Sequence, residues 1–187
     1  NIDTDKIFEK DFSTKKKKSG FGLWEVKEIL KRYGNVDFDI KNIIAGDKLY
    51  YRNKVTFQVK EKIGFYQDNT YDLICVDKCY IADEKINKIL DVLKKLDLGG
   101  IYQIIIRASK FLDQTMVVFK VNSDLNFDIN LLDVDSVVIY QNNIYKTLKG
   151  KDFILEKLND LTFMISPDSF FQVNSSGALN LYNKVFE

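Results

Sequence analysis

At 187 residues, with 45% apolar and 29% charged side chains and a single proline, the chain can bury the core of one or two domains and is not a disordered polymer. It has no histidine, which excludes imidazole triads and histidine metal sites within the chain, and its two cysteines are too few for a disulfide framework. Net charge is +1, and no apolar run is long enough for a membrane span or a signal segment, so a cytoplasmic protein with reduced thiols is expected.

The first residue is Asn, which points to a processed start or a segment of something longer. Residues 1–19 read as a loose lead-in. Charge is unevenly spread: Lys15 to Arg32 holds seven positive residues against two negative, and Leu112 to Asn143 holds one lysine against five aspartates. The run "KKKK" at 15–18 suits either a solvated lead-in or a polyanion contact. Gly20-Phe21-Gly22 is a lone GxG with no strand before it and reads as a turn. A helix is expected from Leu23 to Arg32, with Val26, Ile29, Leu30 and Tyr33 as its apolar stripe and Gly34-Asn35 as its stop.

A more regular region follows. "YYRNKVTFQV" (50–59) alternates as a strand, placing Tyr51, Asn53, Val55, Phe57 and Val59 on one face and Arg52 and Lys54 on the other. Further strands are expected at 62–67, 71–76, 102–109, 114–121, 135–142 and 143–150. Ala82 to Leu96 carries Ile86, Ile89, Leu90 and Leu93 at helical spacing and is closed by Gly99-Gly100. "KDFILEKLNDLTFMISP" begins strand-like and closes at Pro167, and a last helix runs from about Ser176 to Glu187. This pattern predicts an α/β (α+β) fold with a mixed β-sheet and one crossover helix, organised as a lead-in (1–48), a central sheet domain (49–162) and a further segment (163–187).

Enzyme signatures within the chain are scarce. There is no GxSxG, GxGxxG, phosphate loop or calcium loop. Cys75 and Cys79 have no adjacent activator and read as half-buried strand residues; with no histidine present, no metal is expected. The remaining groups suit a nucleic acid. Arg52 and Lys54 share a strand face suited to phosphates, Phe65 and Tyr66 follow a glycine where a ring can meet a base, and Arg107 is expected to emerge at a sheet edge after three isoleucines. A packing role for the 24 Tyr and Phe residues, or a surface for a protein partner, remains open on these grounds alone.

"YRNKVTFQV" (51–59), "GFY" (64–66), Cys79, "IIIR" (104–107), "MVV" (116–118), "FMISPDSFFQVN" (163–174) and "ALNLY" (178–182) occur in the order found in one family. Over residues 51 to 187 the chain resembles the S-adenosylmethionine-dependent uracil-5 methyltransferases of tRNA and 23S rRNA. The resemblance implies that 49–162 is a central RNA-binding domain and that 163–187 leads into a Rossmann-like methyltransferase domain. It implies that Gln172 contacts S-adenosylmethionine, that Phe170 lies near the target base, and that Asn174 shares this motif. Arg52, Lys54, Tyr66, Arg107, Phe170 and Asn174 become the candidate RNA-binding set. In such enzymes a cysteine thiolate attacks carbon 6 of uracil, carbon 5 takes the cofactor methyl, and a carboxylate removes the carbon-5 proton. These catalytic residues are expected C-terminal to Glu187, so the chain alone is expected to be inactive, and Cys79 does not hold the nucleophile's position. The expected partner is structured RNA, with no membrane and a monomeric protein.

The sequence departs from the family pattern in places. Thr70, Tyr71 and Cys75 stand where Ser-His and then Asp are usual after "GFY", and Tyr102-Gln103 replaces an Arg-His pair before Arg107. An N-terminal β-barrel and an iron–sulfur cysteine cluster are not visible, although "GFGLWEVKEILKRYG" resembles the helix that follows that cluster.

Overall fold

The computed structural model describes residues 46–186, together with Glu28 and Arg32. The lysine run, the GxG and most of the helix expected over 23–32 therefore lie outside the described residues. Glu28 and Arg32 themselves are helical. Residues Gly46–Glu187 cluster as one compact unit.

Within this unit nine strands and two helices follow one another. β1 is Lys54–Val59, β2 Ile63–Tyr66, β3 Leu73–Cys75, and α1 Glu84–Leu93. β4 is Ile101–Ala108, β5 Thr115–Val121, β6 Ser136–Gln141 and β7 Ile144–Lys149. β8 (Ile154–Leu158), β9 (Leu161–Ile165) and α2 (Ser175–Phe186) complete the order.

Seven strands form one mixed sheet in the order β3-β2-β1-β4-β5-β6-β7. All neighbours are antiparallel except β5 and β6, whose parallel pairing is reached through the long connection containing a single 3-10 turn at Ile129–Leu131. The expected mixed sheet and crossover helix are both present. α1 begins where Asp83 accepts the amide of Lys85 on its side chain (2.9 Å), which satisfies a free N–H of the first turn. The β6–β7 hairpin turns on Asn142 and Asn143, both at positive φ (51° and 64°), a backbone that asparagine tolerates and that suits a two-residue hairpin.

The core explains the isoleucine run. Ile104 and Ile106 point with Val55, Phe57, Val117 and Phe119 toward α1, whose Ile86, Leu90 and Leu93 are fully enclosed. Ile105 points the other way, with Met116, Val118 and Val138, onto Ile154 and Ile165 of a separate two-stranded sheet, β8–β9. Each such enclosed side chain contributes about 1.5–3 kcal/mol by leaving water. The central strands are continuous in apolar residues because a helix covers one face and a hairpin the other.

The stretch 151–167 is a hairpin closed by Asn159 at positive φ (52°), and the step expected between 162 and 163 lies within β9. One expectation changes. Arg107 is not at a sheet edge: β4 is paired on both sides by β1 and β5, and Arg107 is 3% exposed.

Candidate nucleic-acid interface

The segment from Ser166 to Asn174 has no strand or helix of its own, so its shape is set by bonds from elsewhere. The Arg107 side chain reaches out of the sheet and donates from Nη2 to the carbonyls of Pro167 (3.1 Å) and Ser169 (2.5 Å). Asn53, buried just before β1, donates from Nδ2 to the Gln172 carbonyl (2.9 Å) and to Ser175 Oγ (2.8 Å), while its backbone amide donates to the Val173 carbonyl (2.8 Å). Ser175 Oγ in turn donates to Glu156 Oε2 (2.8 Å). Glu156 is 1% exposed and also accepts from Ser109 Oγ and from the amides of Lys110, Phe111 and Lys157, at 2.8–3.1 Å. A buried carboxylate with that many donors is fully compensated, and it ties β4, β8 and α2 to the start of β1.

This anchoring presents Phe170 to solvent at 84% exposure, at the rim of a groove of about 590 Å³. Arg52, Lys54 and Thr56 form its polar wall, and Cys79, Ile81 and Phe171 part of its apolar floor. The groove exists because β2 pairs with β1 only at Gln58 and Val59, leaving the 54–56 end of β1 without a strand on that side. Arg52 is steered by its own Nε, which donates to the Lys54 carbonyl (3.0 Å).

The cations here are crowded. Lys54 is directly opposite Arg107 across the β1–β4 ladder. Partial burial, and then the Arg107 charge, lower the Lys54 pKa from the ordinary lysine value, while Asp168 acts in the opposite sense. Burial also lowers that of Arg107, again opposed by Asp168. Arg107 Nε is buried without an acceptor. The groove thus holds positive charge that the protein itself only partly neutralises, a condition that favours an anionic ligand.

The structure brings Arg52, Lys54 and Phe170 together around one groove. Gln172 has its backbone fixed by Asn53 and its side chain exposed, between two residues that line the groove, Phe171 and Val173. Asn174 is engaged in structure: its Oδ1 accepts the Gly177 amide (2.8 Å), which makes it the N-cap of α2. Tyr66 stands apart from this groove, at the end of β2 beside Tyr71. Arg107 is inside, acting on the loop through carbonyls rather than facing solvent. Each cysteine meets one half of the half-buried strand reading. Cys75 is on the edge strand β3 but exposed, and Cys79 is half-buried but in the loop after it, its amide donating to Asn87 Oδ1 (2.9 Å). Among the described residues no cluster of carboxylates and cysteines gathers as a metal site requires. No helix among them is long and apolar enough to cross a membrane.

Sequence reasoning missed Asn53, Ser109, Glu156 and Ser175. Asn53 sits on the inward phase of β1, and a polar residue at an inward position is the one signal that pointed to it. The others become visible only when four distant segments meet.

No family model matches the chain. An uncharacterized RNA methyltransferase of Clostridium tetani is 34% identical over 210 residues, covering 92% of this chain and 45% of that protein. One from Oceanobacillus iheyensis is 29% identical, with 87% and 44% covered, and one from Staphylococcus aureus is 29% identical, with 87% and 45% covered. Among solved structures, the tRNA (uracil-54, C5)-methyltransferase of Pyrococcus abyssi, in complex with S-adenosyl-L-homocysteine, superposes with a TM-score of 0.65 at 27% identity, over 74% of this chain and 41% of that one. The chain spans somewhat less than half the length of the curated relatives it matches.

Proposed function

The chain belongs to the RNA uracil methyltransferase family, and from that membership we propose that it takes part in S-adenosylmethionine-dependent methylation of uridine carbon 5 in a structured tRNA or 23S rRNA. The segment described here grips the RNA and carries the approach to the cofactor site. One observation carries this reading: an exposed ring, Phe170, is held by Arg107 and Asn53 at the rim of a groove whose other wall is Arg52 and Lys54. An unstacked uracil needs a ring to lie on, and the phosphate beside it needs a cation.

The residues present fit one contact of the cofactor. Gln172 is anchored through its carbonyl, so its exposed amide is free both to donate and to accept toward the amino-acid moiety or ribose of S-adenosylmethionine. When bound, the cofactor supplies the methyl group. What the residues of this chain do is bind and orient: Arg52 and Lys54 take phosphates, Phe170 supports the base, and Arg107, Asn53 and Asn174 set the loop. The chain spans less than half the length of its relatives, and the 187-residue chain alone is expected to bind RNA without methylating it.

The test is methyl transfer from labelled S-adenosylmethionine to unmodified tRNA and to 23S rRNA fragments, using the full-length protein with this chain beside it. Label at uracil carbon 5 with the full-length protein supports the reading, and the accepted RNA names the substrate. RNA binding without label from either protein would replace it with a non-catalytic RNA-binding module. In the full-length enzyme Gln172→Ala should raise the KM for cofactor, whereas Phe170→Ala should lower kcat with RNA.

A further inference from the structure

The face of the large sheet that carries Arg107 is only partly covered by β8–β9. Beside that cover the strand registers align one residue per strand. Gln58 is opposite Gln103, Gln103 opposite Lys120, Lys120 opposite Tyr140, and Tyr140 opposite Tyr145. Residues paired across strands share a face, so these five form a row across β1, β4, β5, β6 and β7, and each is half-buried. The two glutamine side chains meet, Gln103 Nε2 donating to Gln58 Oε1 at 3.5 Å.

Each end of the row carries rings beside a cation. At one end the Tyr140 and Tyr145 rings are 4.7 Å apart and Lys120 Nζ is 5.4 Å from the Tyr140 ring. Tyr145 donates its hydroxyl to Asp168 (2.5 Å), which fixes the ring. Burial, and then Asp168, raise its pKa, so it remains a neutral phenol. At the other end, Gly64 pairs with Gln58, which puts Tyr66, two residues on, on the same face. Tyr66 stands edge-on to Tyr71 (5.7 Å), itself 80% exposed, and Lys60 Nζ lies 5.7 Å from the Tyr66 ring. From β2 to β7 is five strand spacings, or about 24 Å.

An interface for a protein core would show exposed aliphatic side chains here. This row instead offers rings, ammonium groups and amides, the chemistry that takes bases, phosphates and base edges from a single strand. It is also continuous with the groove, because Thr56, two residues from Gln58 on the same face, lines that groove.

We propose that this row is a second RNA-binding track, on which the single-stranded stretch flanking the nucleotide in the Phe170 groove lies across the sheet. Its bases stack at Tyr66 and Tyr140 and its phosphates meet Lys60 and Lys120. The proposal rests on the RNA reading above and adds to it a surface that sets which flanking RNA is accepted.

The test is fluorescence anisotropy of this chain with two labelled oligouridylates, a trinucleotide and one of roughly 12 nucleotides, within the footprint range of single-strand binders. The longer RNA should bind more tightly. The double variant Tyr140→Leu, Lys120→Gln should lose on the order of ten-fold in affinity for it, as expected for one stacked base, and leave the trinucleotide unaffected. Phe170→Ala should weaken both. If the double variant binds the longer RNA like the wild type while Phe170→Ala weakens it, the track is wrong and the groove stands. If the wild-type chain binds neither RNA, the RNA reading fails and the track with it. A second measurement needs no variant: photo-crosslinking with a 4-thiouridine oligonucleotide should give adducts in β2 and β6 of the wild type, and adducts confined to the groove would overturn the track.

Discussion

Glu156 is the residue on which the loop depends, since its two oxygens collect donors from the loop after β4, from β8 and from α2. Glutamine in its place keeps the volume but turns an NH₂ group toward donors, and a buried donor left unpaired costs about 1–3 kcal/mol. Glu156→Gln should therefore destabilise the chain by about 3 kcal/mol in urea unfolding, roughly the larger cost for one such donor. An unchanged midpoint would mean the network is not formed in solution. Lys54 makes the opposite case. Its folded-state pKa is lowered, by partial burial and then by Arg107. The folded protein thus binds that proton less well than the unfolded chain, so the charge costs stability below the folded pKa, and the cost fades as pH rises through that value toward the unfolded one. Lys54→Met should raise the melting temperature at neutral pH and weaken RNA binding; a lower melting temperature would remove the crowding argument. Sequence alone pairs Arg52 with Lys54 from strand alternation, but it assigns Arg107 to the surface, because the cover laid over Ile105 by β8–β9 cannot be read from the "IIIR" run itself.

Among the elements, α2 decides how the motif loop enters the next segment. Asn174 accepts the Gly177 amide, and the Ala178 amide donates to its carbonyl (2.9 Å), so the loop ends where the helix begins. Asn174→Ala should cost about 0.5–2 kcal/mol by loss of the cap, and Asn174→Asp should restore most of it. If Asn174→Asp recovers stability and RNA affinity together, the residue acts by shaping the loop; recovered stability with affinity still lost would give the amide a direct contact. Element types were legible in the sequence: β1 and α1 follow their periodicities closely, and β4 and β5 match continuous apolar runs. The β8–β9 hairpin was not, because "EKLNDLTF" reads as a single strand-like run unless Asn159 is known to adopt positive φ.

For the whole molecule, net charge is only +1, so the proposed RNA affinity has to come from local arrangement rather than from bulk attraction. For single strands the log–log slope of affinity against salt is about 0.7 per phosphate neutralised. The groove cations Arg52 and Lys54 alone predict a slope near −1.4, and adding Lys60 and Lys120 of the sheet track predicts roughly −2.8. A salt titration with the longer oligonucleotide distinguishes the two, and a slope near zero would argue against phosphate contacts altogether. The sequence by itself determined the mixed sheet, the crossover helix, the family resemblance and the residue types at the groove, because periodicity and ordered motifs are local properties of a chain. Only the tertiary structure decided that Arg107 is an internal strut, that Asn53, Ser175 and Glu156 hold the loop, and that Gln58, Gln103, Lys120, Tyr140 and Tyr145 stand in one row. Those relations depend on strand order and register, which bring together residues far apart in the chain through hydrogen bonds that no single segment encodes.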